Sequence, residues 1–214
     1  MSVKKILVLV IAYALTMTGH FCLAEEMTAD QVMQKVQSVY ADKCCFRALF
    51  DQVTVNISMD IKDTFEGVMY VRKPSFITLD VQAPERQKVV MRGRSYSVQF
   101  LEDQTSVTGE IPAELNVENF FSFFTNIGAI DKNFSFRFPQ RPKDGDNGLI
   151  FLELTSAKAA PGSYRITLGI DSQKFTINRA IIYDALGNYN RFDLTDIKFL
   201  PSIPESIFEI ATPK

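Results

Sequence analysis

The chain has 214 residues, 46% apolar and 22% charged, with 23 lysines and arginines against 25 aspartates and glutamates. This is the make-up of one globular domain with material for a real core, and it excludes a disordered or collagen-like chain. A formal charge of −2 without a basic cluster removes the basis for gripping a phosphate backbone, so no nucleic-acid partner is expected.

Residues 1–24 read as a signal peptide. Lys4 and Lys5 form a positive n-region, Ile6 to Met17 an apolar h-region, and Cys22-Leu23-Ala24 a small-residue cleavage site. The run falls short of the ~20 residues of a spanning helix. One mature domain over 25–214 is therefore expected. Cleavage would also remove His20, the chain's single histidine, and with it any histidine triad, proton shuttle or histidine metal ligand. Cys22 follows Gly19-His20-Phe21, which departs from the pattern of a lipidated cysteine.

Thr28 and Gln31 have the spacing of a capping box, and Val32, Met33, Val36, Val39 and Tyr40 recur at helical spacing, so one amphipathic helix is expected over about Thr28 to Asp42. Cys44 and Cys45 are adjacent, too close for an unstrained disulfide, and read as two half-buried thiols at a helix-to-strand junction, with a strained vicinal disulfide as the alternative. Without histidine they make no zinc site, and neither metal nor cofactor is expected.

From Phe46 the apolar period becomes two. Strands are predicted over 46–61, 64–72, 76–83, 87–92 and 94–101, with breaks such as Lys62-Asp63, Lys73-Pro74-Ser75 and Arg92-Gly93. Further strands are predicted over 132–138, 149–156, 163–170, 175–184, 189–199 and 206–212. Within 76–81, Ile77, Leu79 and Val81 share one face while Phe76, Thr78 and Asp80 share the other, which is expected to meet water. Tyr96, Val98 and Phe100 likewise share a face. The pattern predicts a mainly β (α+β) domain: an antiparallel sheet with short helices.

A cover for those apolar faces is offered by residues 117–127, where Val117, Phe120, Phe121, Phe124 and Ile127 fall on one helical face. Two readings fit that segment: plain core, or a lid over an apolar hollow able to hold hydrocarbon. Scattered carboxylates such as Asp51, Asp184 and Asp193 are not paired in sequence and give no sign of hydrolytic chemistry, so no enzyme is expected.

Several motifs resemble those of one family in order and spacing. The run Phe46-Arg-Ala-Leu-Phe-Asp-Gln-Val-Thr54 is similar to the F-x-A-x-F-x-Q-x motif of LolA, the carrier of outer-membrane lipoproteins. Phe65 to Pro74 resembles the family's stretch ending in [KR]-[KR]-P, and Ala83-Pro84 and Met91 to Arg94 fall at its Q-P and S-D-G-K turns. Asp184-Ala-Leu-Gly-Asn188 is similar to its D-x-x-G-N hairpin, and Phe208 to Pro213 to its F-x-x-x-x-P ending. The resemblance runs from about Met27 to Pro213.

The resemblance implies an incomplete, curved antiparallel β-barrel with a helical lid over an apolar cavity, working as a monomer in the periplasm. It implies triacylated lipoproteins as cargo, an inner-membrane lipoprotein-releasing ABC transporter of LolCDE type as donor, and an outer-membrane receptor of LolB type as acceptor. The expected acyl-chain cavity comprises Met69, Ile77, Leu79, Val81, Tyr96, Val98 and Phe100, with Phe120, Phe121 and Phe124 in the lid. The family's lid-gating arginine falls at Lys73, with Arg72 one place earlier. The alternative is a lipid- or lipoprotein-binding receptor or envelope sensor on the same sheet.

Overall fold

The structure is a computed structural model that describes residues 27–111, 124–125, 127, 134–140, 148–156 and 165–211. Helix α1 (Ala29–Tyr40) opens it with the expected capping box: Thr28 Oγ1 accepts from Gln31 N at 3.2 Å, and Thr28 N donates to Gln31 Oε1 at 2.8 Å. Both groups satisfy helix-end donors that would otherwise be orphaned. Val32, Met33, Val36 and Tyr40 form its buried stripe.

Eleven strands follow: β1 (Cys45–Asn56), β2 (Ile61–Arg72), β3 (Phe76–Ala83), β4 (Gln87–Arg92), β5 (Ser95–Phe100), β6 (Thr105–Glu110), β7 (Phe134–Arg137), β8 (Leu149–Ser156), β9 (Arg165–Asp171), β10 (Ile177–Tyr183) and β11 (Tyr189–Leu200). They form one open antiparallel sheet in the order β6-β5-β4-β3-β2-β1-β11-β10-β9-β8-β7, with β1 and β11 joining its two halves at the centre. The expected mainly β fold is present. Three local expectations are corrected. β6 was not predicted, because Thr105–Glu110 carries one large apolar residue, Val107, and therefore no alternation. Residues 206–212 were predicted as a strand; Glu205–Phe208 is instead a 3-10 turn within an extended C-terminal strap. The first strand break lies at residues 57–60 rather than at Lys62-Asp63, which belong to β2.

The sheet has an inner face under α1 and an outer face under the strap. On the inner face one cluster joins Val32, Met33 and Val36 of α1 to Ala48, Met69 and Leu79 of the sheet. On the outer face Cys45 packs with Ile203 and Phe208, flanked by Tyr70 and Phe76. Thr78 Oγ1 donates to Ile207 O at 2.9 Å, and Ser97 Oγ accepts from Ala211 N at 3.2 Å. The face of β3 bearing Thr78 and Asp80 thus meets the strap at Thr78, which is buried, and not water as its polarity suggested.

Candidate functional site

The F-x-A-x-F-x-Q run explains itself on β1. Phe46, Ala48 and Phe50 alternate onto the inner face and are buried, while the next residue of that row, Gln52, begins a polar rim. Gln52 Nε2 donates to Thr54 Oγ1 and to Asn190 Oδ1, both at 3.2 Å, and Thr54 Oγ1 donates to Asn190 Oδ1 at 2.5 Å. Apolar lining therefore ends at a defined, hydrogen-bonded edge.

The expected cavity residues share that inner face. Across β2 to β5 the register aligns Met69, Leu79, Val89 and Val98 in one row and Val71, Ile77, Met91 and Tyr96 in the next. Val81 and Phe100 both oppose Gln87 in a third. Met69, Ile77, Leu79 and Val81 are buried in the same cluster as the α1 stripe, whereas Tyr96, Val98 and Phe100 are half-buried. The face is buried on β2 and β3 and half-buried on β5. The apolar stripe of α1 shares its cluster; the sequence shows that stripe but not its partner. Of the expected lid, Phe124 is buried with its ring 6.2 Å from that of Phe192, edge-on, and Ile127 is buried in the same cluster. Phe120 and Phe121 lie outside the described residues.

Arg72 sits on the outer face. Its Nη2 is 2.7 Å from Glu205 Oε2, and its guanidinium lies over the Phe76 ring at 4.3 Å and the Phe208 ring at 4.6 Å. Arg92 approaches the same carboxylate at 3.5 Å. This planar cation, lying against two rings that meet edge-on and paired with one acid, holds the strap to the sheet. Lys73 Nζ donates to Tyr40 O at 2.8 Å and Ala41 O at 3.0 Å, placing a cation on the last carbonyls of α1. The structure thus sends the two side chains to the strap and to α1 respectively.

Both thiols are free, and both converge on the root of the strap: Cys44 Sγ lies 3.3 Å from Pro201 O and Cys45 Sγ 3.2 Å from Leu200 O. Burial, with the neighbouring Cys44, pushes the Cys45 thiol up to about 11. Burial likewise pushes the Tyr40 phenol up to about 12, although its oxygen accepts from Ile177 N at 3.2 Å. Both groups ionise earlier in the unfolded chain, so their contribution is complete below about pH 9 and is lost as pH rises toward 12. For Tyr40 the loss amounts to about 3 kcal/mol at 1.36 kcal/mol per pKa unit. Tyr40→Phe is expected to flatten the fall of melting temperature between pH 10 and 12; curves that stay parallel to wild type would refute this assignment.

The carboxylates are engaged in structural contacts. Asp193 pairs with Arg179 and, at 2.9 Å, with Arg191; Asp196 pairs with Arg47 at 2.9 Å and Lys198 at 3.0 Å. Asp184 Oδ1 accepts from Leu186 N and Asn188 N. Among the described residues no three His, Cys, Asp or Glu side chains gather as metal ligands.

In solved structures the fold is similar to a LolA superfamily protein from Nitrosomonas europaea at 16% identity and TM-score 0.44, covering 86% of this chain and 98% of that one. It is also similar to LprF from Mycobacterium bovis at 13% identity and TM-score 0.43, covering 83% and 97%. The Pseudomonas aeruginosa MucA/MucB complex matches at 14% identity and TM-score 0.44, over 86% of this chain and 61% of that one. No curated protein matches the sequence significantly. The family model "Outer membrane lipoprotein carrier protein LolA" matches residues 44–211, which takes in every strand described above and the strap, and the chain therefore belongs to the LolA family.

Proposed function

We propose that the protein is a periplasmic carrier that shelters the acyl chains of lipoproteins released from the inner membrane and delivers them to the outer membrane. The observation that carries this reading is the continuous apolar inner face, buried at Met69, Ile77 and Leu79 in one cluster with the α1 stripe, Phe124 and Ile127, and half-buried at Val98 and Phe100. Each methylene taken from water contributes about 0.8 kcal/mol, so such a face can hold a fatty chain without directional bonds. Met33, Met69 and Met91 add unbranched, adaptable side chains to the same cluster. Cargo would take over contacts now made by α1, and because those contacts re-form on release, binding stays reversible. In this role a LolCDE-type transporter supplies the lipoprotein and a LolB-type receptor accepts it.

The test is displacement of a fluorescent fatty-acyl probe by a synthetic triacylated lipopeptide. Val98→Asp, at a half-buried inner position, is expected to weaken binding at least tenfold while the circular dichroism spectrum and melting curve persist. Equal affinity in the variant would remove the pocket assignment. Binding without transfer from donor to acceptor vesicles would make the protein a lipoprotein binder and not a shuttle.

A further inference from the structure

Half of the large apolar residues exposed among the described residues gather at one place: Ile57 at 59% exposure, Met59 at 63%, Ile61 at 43% and Leu186 at 74%. They lie at the tips of two hairpins, β1–β2 and β10–β11, which are neighbours because β1 pairs with β11 up to Val55 and Tyr189. The tips are braced against each other. Ile57 N donates to Asn188 Oδ1 at 2.8 Å, Asn188 Nδ2 donates to Asp184 Oδ2 at 2.8 Å, and Met59 N donates to Asn56 Oδ1 at 3.1 Å. Gly187 has φ +88, and a Cβ added there would lie 3.4 Å from Ile57 Cδ1. The apolar side chains are therefore presented by hydrogen-bonded turns and not by a floppy loop.

Behind this aliphatic tip stand Tyr183 and Tyr189, with ring centroids 5.7 Å apart, and Arg165 lies 4.3 Å over the Tyr183 ring. The register sets Tyr189, Tyr183 and Arg165 in one row behind the aliphatic tip, and tyrosines with a cation behind aliphatic side chains match the headgroup level of a bilayer boundary. The alternative occupant, a protein, is poorly matched by size: the exposed apolar tip is four side chains, against the ~20–30 residues each partner gives to a standard interface. We infer that the paired hairpin tips dock the protein on a lipid bilayer, with Ile57, Met59, Ile61 and Leu186 entering the headgroup–acyl boundary. Lys62 and Arg165 stand against Asp60, Asp63 and Asp184 at this end, so no net positive charge draws it to a surface; attraction is apolar and should not require anionic lipid. No described helix is long and apolar enough to cross a membrane, and surface docking by strand tips requires none. The inference is independent of the acyl-carrier reading, since neither hairpin tip belongs to the inner face.

The experiment uses the chain from Glu25, which contains every described element and lacks the apolar leader, with phosphatidylcholine vesicles. Since the protein has no tryptophan, Leu186→Trp gives a background-free emission probe and Val107→Trp, on the opposite sheet edge, its control. The expected result is a vesicle-dependent blue shift with quenching by brominated acyl chains for Leu186→Trp alone. In co-sedimentation, Met59→Gln/Leu186→Gln is expected to lower vesicle partitioning at least tenfold, with fatty-acyl probe binding retained. No blue shift at position 186, an equal shift at position 107, or partitioning unchanged in the glutamine variant would overturn the inference. So would a wild-type dimer in sedimentation velocity that the glutamine variant abolishes, because the tip would then be a contact between two copies.

Discussion

Gly67→Ala is expected to lower the melting temperature by about 10 °C, the shift that ~3 kcal/mol produces in a domain of this size. A Cβ at Gly67 would lie 2.0 Å from the carbonyl oxygen of Asp80 and 3.0 Å from Val81 Cα. Those are main-chain atoms of β3, so the clash cannot be relieved by turning a side chain. The register explains the crowding: it shifts between Glu66 and Gly67, where β2 meets β3 with one extra residue on the β3 side. The neighbouring exposed Glu66→Ala is the control and should change stability by no more than ~0.5 kcal/mol. A Gly67→Ala protein melting with wild type would mean that the strands part more easily than the close approach implies.

Phe208→Ala is expected to cost about 3–5 kcal/mol, the range for truncating a fully buried aromatic. Phe208 has no exposed surface, meets Phe76 edge-on at a centroid distance of 5.7 Å, and lies under the Arg72 guanidinium. Its loss should also unpin the strap, because Glu205, three residues earlier, pairs with Arg72 and Arg92. Hydrogen exchange separates the two effects. The Ala211 amide, which donates to Ser97 Oγ, should exchange far faster in the variant, by more than global destabilisation adds to amides of β9. If strap and β9 amides accelerate alike, the strap opens only with the whole fold.

Local chemistry was legible in the sequence where one element decides its own shape. Thr28 and Gln31 announced the start of α1, and alternation located β2 through β5 to within a few residues. The motif F-x-A-x-F-x-Q was legible as a resemblance, and the structure supplies its cause in the inner-face row of β1. The break misplaced at Lys62-Asp63 has a cause too: Ile57, Met59 and Ile61 keep the alternation of β1 running through an exposed turn, so a pattern that normally marks burial continues where nothing is buried. Least legible was the strap. Ile203 and Phe208 are buried by strands far away in sequence, and Thr78 and Ser97, polar residues on a face that alternation assigns to solvent, are buried because the strap crosses them. No local period encodes a contact between distant segments. The same limit hid the role of α1, whose stripe shows that it is covered but not by what.

The central position of β1 has a temporal cost. Its partner β11 is the last strand in the chain, and β2 through β10 intervene. During synthesis at ~5–20 residues per second, one flank of β1 stays unpaired for on the order of ten seconds. Its exposed backbone groups can meanwhile template wrong pairings, so an assistant that holds extended chain apart should raise the yield of this protein more than that of folds assembled from local hairpins alone.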